Sequence, residues 1–266
     1  AVLLVLDGLG WDQLRDRLDL APTLAAMSGS PITTVAPTTT ATALASIATG
    51  LTPGEHGLVG YRMVLGGEVL NVLRWAVDGS DRTRSQPPGD VQRYPGFLGQ
   101  PVPVVSPFEL TGTPFSAAHL AGGRPVGFRA ASSLPVEVGE QLRAGERFVY
   151  AYYGLVDKIA HERGFGPYYD AELRTADRLV ADVLEQLPRG AALLVTADHG
   201  QVPADSVTGT YAESQQLLDD LERVGVSYAQ VVDTLENEGV DKFVASWTEL
   251  LDSVQGELGR LGGEGQ

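Results

Sequence analysis

The chain has 266 residues, with 19 Lys and Arg against 34 Asp and Glu for a formal charge of −15, and 43% of its residues are hydrophobic. That hydrophobic share supports a packed core and excludes a disordered chain, while the acidic balance argues against a basic nucleic-acid-binding face. The absence of cysteine excludes disulfides, thiolate metal sites and cysteine nucleophiles, so any chemistry falls to His, Asp, Glu, Ser and Thr.

The first apolar run, Val2–Leu6, is closed by Asp7 and Gly8. A continuous run of this kind suits a parallel strand covered on both faces, with Asp7 at its carboxyl end, the edge where open α/β sheets bind ligands. The sequence opens inside this strand without Met, so a start further upstream is expected. Thr38 to Thr49 follows Pro37 as a run of small residues and predicts a helix entered through hydroxyl-bearing caps. Residues 62–145 are rich in Gly, Pro and Ser and predict a loop-rich insertion of loops and short strands.

A second apolar run, 147–153, is followed by Asp157, and a third, 191–196, by Asp198 and His199. Between them Leu173, Ala176, Leu179, Val180, Val183, Leu184 and Leu187 form a helical stripe that stops at Pro188-Arg189-Gly190. The alternation predicts an α/β fold. Three strand-then-acid units imply carboxylates converging on one sheet edge.

Composition changes near residue 205. The stretch 207–266 holds twelve acids and three bases (Arg223, Lys242 and Arg260), and predicts helices over about 212–224, 227–238 and 241–260, separated by Gly225 and Gly239. The expected organisation is a domain over 1–205 followed by an acidic helical tail over 206–266. No apolar run reaches the roughly 18 residues that cross a bilayer, and the expectation is a cytoplasmic protein with neither membrane nor nucleic-acid partners.

The residues that stand out for chemistry are Asp7, Thr40, Asp157, His161, Asp198 and His199. Carboxylates and neutral imidazoles are ligands for a zinc-like cation, and Asp157-x-x-x-His161 and the adjacent pair Asp198-His199 each can present two ligands to a shared site. A hydroxyl at a helix start beside such a cation has its pKa lowered and becomes a nucleophile, the place that Thr40 occupies. An Asp after a strand is, taken alone, more often a turn or helix cap. The coincidence of three acids at predicted strand ends, two of them with histidines at ligand spacing, points instead to a metal site.

Four stretches, Leu4-Val5-Leu6-Asp7-Gly8, Pro37-Thr38-Thr39-Thr40 leading to Pro53-Gly54-Glu55-His56-Gly57, Asp157-Lys158-Ile159-Ala160-His161 and Thr196-Ala197-Asp198-His199-Gly200, occur in the order used by the alkaline phosphatase superfamily. Over about residues 1–202 the chain most resembles its type I phosphodiesterase and nucleotide pyrophosphatase branch. The resemblance implies an alkaline-phosphatase-like sheet flanked by helices, and two divalent cations, zinc by that likeness. One ion would be held by Asp7, Thr40, Asp198 and His199, the other by Asp157, His161 and a further downstream histidine. It also implies that threonine attacks phosphorus, forms a phosphoryl-threonine ester and is released by water. Thr38, Thr39 and Thr42 compete for this role, and spacing back from Thr49-Gly50 selects Thr40. His56 reads as structural, and His119 as packed or exposed away from the chemistry.

Two departures qualify the likeness. The position at which nucleotide pyrophosphatases carry a phosphoryl-binding Asn is Tyr61 here, which weakens the case for nucleotide specificity. No histidine follows His199, so one cation site would have two protein ligands unless Asp205 or Glu213 substitutes. From about Val207 the tail resembles the C-terminal helices of bacterial transaldolase, an unrelated (β/α)8 barrel, without that family's Schiff-base lysine. A chimera with a junction near Ala197-Asp198-His199-Gly200, incomplete at the hydrolase's C-terminal end, accounts for the missing ligand.

The expected function is metal-dependent hydrolysis of phosphoric esters of phosphodiester or nucleotide pyrophosphate type, with a small phosphorylated substrate, and the alternative is a non-catalytic or impaired metal-binding remnant. Phosphomutase or sulfatase chemistry fits less well, because those branches employ serine or a modified cysteine.

Overall fold

The computed structural model describes residues 1–77, 87–202 and 211–234. The chain divides into two compact units, Ala1–Pro203 and Ala204–Gln266.

In the first unit the strands are β1 (Val2–Leu6), β2 (Arg62–Leu65), β3 (Glu68–Asn71), β4 (Ala76–Val77), β5 (Pro103–Pro107), β6 (Arg124–Phe128), β7 (Val149–Tyr153) and β8 (Leu193–Thr196). Five of them make a parallel sheet in the order β6-β5-β7-β1-β8. The strand period of two divides its residues cleanly between two cores. Val2, Leu4 and Leu6 of β1 join Val149, Ala151 and Tyr153 of β7 on one face, while Val5 and Tyr150 turn to the other. On the first face lie helices Leu134–Arg143 and Pro167–Gln186, the second burying Leu173, Ala176, Leu179, Val180 and Val183. On the second lie Ala41, Leu44 and Ala45 of helix Thr40–Thr49 and Phe115 and Ala118 of helix Pro114–His119. The fold is thus a parallel sheet flanked by helices, and both faces being covered explains why the strands read as unbroken apolar runs.

All three strands and both helices expected from the apolar runs are present, each within a few residues of its expected ends. The segment 62–145 differs from its reading as a loop-rich insertion. Only β2, β3 and β4 stand apart, as a three-stranded antiparallel sheet, whereas β5 and β6 belong to the central sheet and Leu134–Arg143 is a helix packed on it. The reason is that β5 begins and ends in Pro, and β6 carries Pro125 and Gly127 within five residues, which disguises sheet strands as loop.

In the second unit, helix Tyr211–Arg223 and a helical stretch over 228–234 fall where the first two tail helices were expected, with Gly225 at φ +88° between them. The third predicted tail helix and Lys242 lie outside the described residues, as does Asp205. Glu213 lies in helix Tyr211–Arg223. Among the described residues, no helix is long and apolar enough to cross a membrane.

Candidate functional site

The carboxyl ends of β1, β7 and β8 are neighbours because those strands are parallel and adjacent, and each is followed within a few residues by an acid. Asp7 directly follows β1, Asp157 lies in the first turn of helix Leu155–Arg163 after β7, and Asp198 and His199 follow β8. Gly8 makes the close approach possible. Its φ is +70°, and a Cβ there would sit 2.7 Å from Oδ1 of Asp157, so only glycine lets the chain turn past that carboxylate.

Ligand atoms of Asp7, Asp157 and His199 lie within 4.8 Å of one another, a group that could hold a metal ion. His199 is the hub. Its Nε2 is 3.6 Å from Oδ1 of Asp7, 3.5 Å from Oδ2 of Asp198 and 4.0 Å from Oδ1 of Asp157. The same nitrogen is 3.0 Å from the Thr40 hydroxyl. Nδ1 lies 3.0 Å from the carbonyl of Gly200; as an N–H donor to that oxygen it leaves the Nε2 lone pair free for a cation or a proton.

Thr40 opens helix Thr40–Thr49, and of its competitors Thr38 lies exposed ahead of the helix. Thr39 is the N-cap, its hydroxyl accepting from the Thr42 amide at 3.4 Å, and Thr42 is buried. The sheet-edge cluster therefore meets the hydroxyl chosen by spacing.

Two carboxylate oxygens in this cluster, Oδ1 of Asp7 and Oδ2 of Asp198, are buried and accept no hydrogen bond. An orphaned anionic oxygen beside an imidazole lone pair is costly unless a cation occupies the space, so the residues present fit a metal ion. Titration points the same way. Burial, reinforced by the charges of Asp198 and Asp157, holds the Asp7 carboxyl well above its usual range, and burial raises Asp157 as well. Among the described residues, these acids form ion pairs with histidine alone.

His161 stands apart. Its Nε2 is 3.5 Å from Oδ1 of Asp157, one helical turn along the same helix, but its side chain is 70% exposed and it is not in the compact group. Asp157 thus sits with Asp7 and His199 as much as with His161, so it joins the two ligand sets read from the sequence while His161 stays outside the compact group.

Several supporting side chains carried no motif in the sequence. The Tyr152 hydroxyl donates to Oδ2 of Asp7, Gln201 Nε2 donates to Oδ1 of Asp157, and the Thr34 hydroxyl donates to the Asp198 carbonyl. Oδ1 of Asp198 accepts from the amides of Gly8 at 3.1 Å and His199 at 3.0 Å. The one available signal was strand period, which sets Tyr152 on the same face as Tyr150, and both line a cavity of about 210 Å³ together with Asp7, Thr40 and Asp157.

The remaining histidines are structural. His56 is buried, with Nδ1 accepting from the Leu58 amide at 3.1 Å and Nε2 bonded to the Ser46 hydroxyl at 2.9 Å, so both nitrogens are engaged. His119 is buried with its ring stacked on Phe115 at 4.1 Å and Nδ1 2.8 Å from the Phe115 carbonyl. Burial lowers it to about 4, so it is neutral at pH 7. Tyr61 accepts a hydrogen bond from Asn71 at 2.9 Å.

A parallel sheet that gathers carboxylates, an imidazole and a helix-start hydroxyl at its carboxyl edge defines an alkaline-phosphatase-like protein. The sequence matches the type I phosphodiesterase / nucleotide pyrophosphatase family over residues 1–78 and 129–260, and the chain belongs to that family. Among solved structures it resembles phosphonoacetate hydrolase from Sinorhizobium meliloti in complex with phosphonoformate, with TM-score 0.56, 22% identity, and coverage of 83% of this chain and 61% of that one. It also resembles an inactive threonine-to-alanine variant of murine ectonucleotide pyrophosphatase/phosphodiesterase 5 in complex with AMP, with TM-score 0.58, 15% identity, and coverage of 77% and 58%. These likenesses carry the fold.

Curated relatives of the C-terminal region are transaldolases. One from Thermobifida fusca is 54% identical over 68 residues, 26% of this chain and 18% of the relative. Transaldolase 2 of Streptomyces coelicolor is 37% identical over 116 residues, 44% of this chain and 28% of the relative. The chain therefore spans less than a third of the length of these curated relatives. The second match is also longer than the tail from 207, so it starts before that residue. The family match also runs through this region, to residue 260, so the two likenesses overlap and set no junction near residues 197–200.

Proposed function

We propose that the chain hydrolyses phosphoric esters, diesters in particular, with Thr40 as nucleophile beside divalent cations held by the Asp-His cluster. Asp7, Asp198 and His199 would hold one ion with Thr40. Asp157 and His161 would hold a second, more weakly because His161 is exposed. The oxygen and nitrogen donor set suits zinc. A cation there supplies positive charge that favours the alkoxide of Thr40 and offsets charge on the phosphoryl oxygens.

The chain's own groups do the rest. The first turn of helix Thr40–Thr49 fixes the Thr40 hydroxyl, the Gly200 carbonyl holds the His199 ring, and Oδ1 of Asp198 holds the His199 backbone amide. The Thr40 Oγ1–P bond forms as the bond from phosphorus to the leaving oxygen breaks, and the hydroxyl proton passes to solvent. Water then cleaves the Thr40 ester, returning the hydroxyl and releasing the phosphoryl product.

The observation that carries this reading is the 3.0 Å separation of the Thr40 hydroxyl from Nε2 of His199, within a cluster whose buried carboxylate oxygens are unpaired. The murine neighbour's inactive threonine-to-alanine variant lends support by analogy. The test is turnover of bis(p-nitrophenyl) phosphate with zinc present. Wild type should release p-nitrophenolate and Thr40→Ala should not, while both bind zinc. Zinc binding without hydrolysis by wild type would favour the remnant reading.

A further inference from the structure

β8 lies at the edge of the parallel sheet with β1 on one side only, yet the segment that follows it carries Asp198 and His199. The position of that segment therefore rests on contacts beyond the sheet. One set comes from the short helix Trp11–Arg15, whose Gln13 stands 188 residues before Gln201. Nε2 of Gln13 donates to the Gln201 carbonyl at 2.7 Å, and the Gln201 backbone N–H donates to Oε1 of Gln13 at 3.4 Å. A backbone carbonyl only accepts and a backbone N–H only donates, so this pairing allows one orientation of the Gln13 amide. The two segments come close enough because Gly10 faces Gly200: a Cβ on Gly10 would lie 2.6 Å from Cα of Gly200.

With its backbone gripped in this way, Gln201 turns its side chain to the cluster, where Nε2 donates to Oδ1 of Asp157. That oxygen has two further neighbours, Nε2 of His161 at 3.5 Å and Nε2 of His199 at 4.0 Å. The terminal torsion of an aspartate is broad, so nothing intrinsic to Asp157 keeps one oxygen in this place. Among the described residues, the hydrogen bond that the Asp157 carboxylate accepts is the one from Gln201. Gln13 is half-buried, and among the described residues its side chain bonds to Gln201 and to no member of the cluster. Any influence of Gln13 on Asp157 passes through Gln201.

Resting on the cation reading above, we propose that Gln13 is a positioning residue for the Asp157 end of the cluster. It clamps the backbone of Gln201, and the Gln201 amide then holds the Asp157 carboxylate in line for the second ion.

The test reads zinc binding rather than turnover, by chelator competition on the full chain. Wild type should bind two zinc ions. Gln201→Ala should loosen the weaker ion by about tenfold or more, the usual effect of losing a partner of a metal ligand, and leave the tighter one within about twofold. Gln13→Ala should loosen the same ion, although Gln13 touches no ligand of it. The double variant separates positioning from mere support of the fold. Changes along one path are not additive, so adding Gln13→Ala to Gln201→Ala should cost no further zinc affinity. It should still lower the melting temperature of the metal-free protein, because Ala at 201 keeps the backbone groups that Gln13 grips. If Gln13→Ala does not fold, Gln13→Glu replaces it in the cycle, keeping the acceptor for the Gln201 N–H and losing the donor to its carbonyl. An unchanged weaker ion in the Gln13 variant, or additive losses of affinity in the double variant, overturns the inference and leaves the cation reading intact. Wild type that binds fewer than two zinc ions rejects the second ion of that reading and this inference with it.

Discussion

The Thr40 hydroxyl and Nε2 of His199 lie 3.0 Å apart although 159 residues separate them in the sequence. One opens a helix, the other follows the edge strand β8, and the two meet because β8 lies beside β1 in the parallel sheet. Their roles separate by mutation. Thr40→Ala should abolish ester turnover and leave zinc affinity within a few fold, whereas His199→Ala should reduce both, since Nε2 faces three carboxylates. Equilibrium dialysis and p-nitrophenolate release on the same preparations check the pair.

Zinc should stabilise the fold. At a free concentration of about 100 times Kd, a ligand that binds only the native state contributes about 2.7 kcal/mol. The melting temperature of metal-stripped protein should rise on zinc addition, and the rise should largely vanish in Asp7→Asn, which removes a buried charge from the site. Differential scanning calorimetry with and without zinc measures it; an equal rise in the variant would contradict the assignment of Asp7.

The Tyr152 hydroxyl donates to one oxygen of Asp7 and leaves the other unpaired toward His199. Tyr152→Phe removes only that bond, so Asp7 loses its orientation. Zinc affinity should fall by about 10- to 100-fold, the usual effect of losing a partner of a metal ligand, with little change in melting temperature of the metal-free protein. Competition against a chromophoric chelator gives the affinity directly.

His119 gives a stability prediction with a definite sign. Its folded pKa is depressed by burial to about 4, whereas the unfolded imidazole titrates near 6.5. Between those values the unfolded chain binds the proton and the folded one does not, so stability is retained above about 6.5 and lost as pH falls toward 4. The loss amounts to roughly 3 kcal/mol at most. Raised Asp7 and Asp157 act in the opposite direction, so the His119 contribution is read as a difference: from pH 7 to pH 4.5 the wild-type urea midpoint should fall relative to that of His119→Gln.

Much of this arrangement was legible in the sequence because it rests on local patterns. Val2–Leu6, 147–153 and 191–196 read as buried parallel strands, since a strand covered on both faces needs apolar residues at every position. Asp7, Asp157 and Asp198 then fell at strand ends by counting alone. The stripe from Leu173 to Leu187 marked the long helix for the same reason. What was not legible depends on contacts between distant segments. β5 and β6 hid behind Pro103, Pro107, Pro125 and Gly127, and their place in the sheet is set by β7 alongside rather than by their own composition. Tyr152 and Gln201 support the cluster through single hydrogen bonds that no residue spacing encodes. The merging of Asp157 with Asp7 and His199 likewise follows from strand order, which counting along the chain does not supply.

The most direct test of the account is to find the phosphoryl group on Thr40. Enzyme mixed with excess bis(p-nitrophenyl) phosphate and zinc, quenched in acid within one turnover, should yield a peptide spanning Thr38 to Thr49 that carries a p-nitrophenyl phosphoryl group, mapped to Thr40 by fragmentation. The adduct should be absent from Thr40→Ala. Rapid hydrolysis with an unmodified Thr40, or with the group on Thr38, Thr39 or Thr42, would contradict the account.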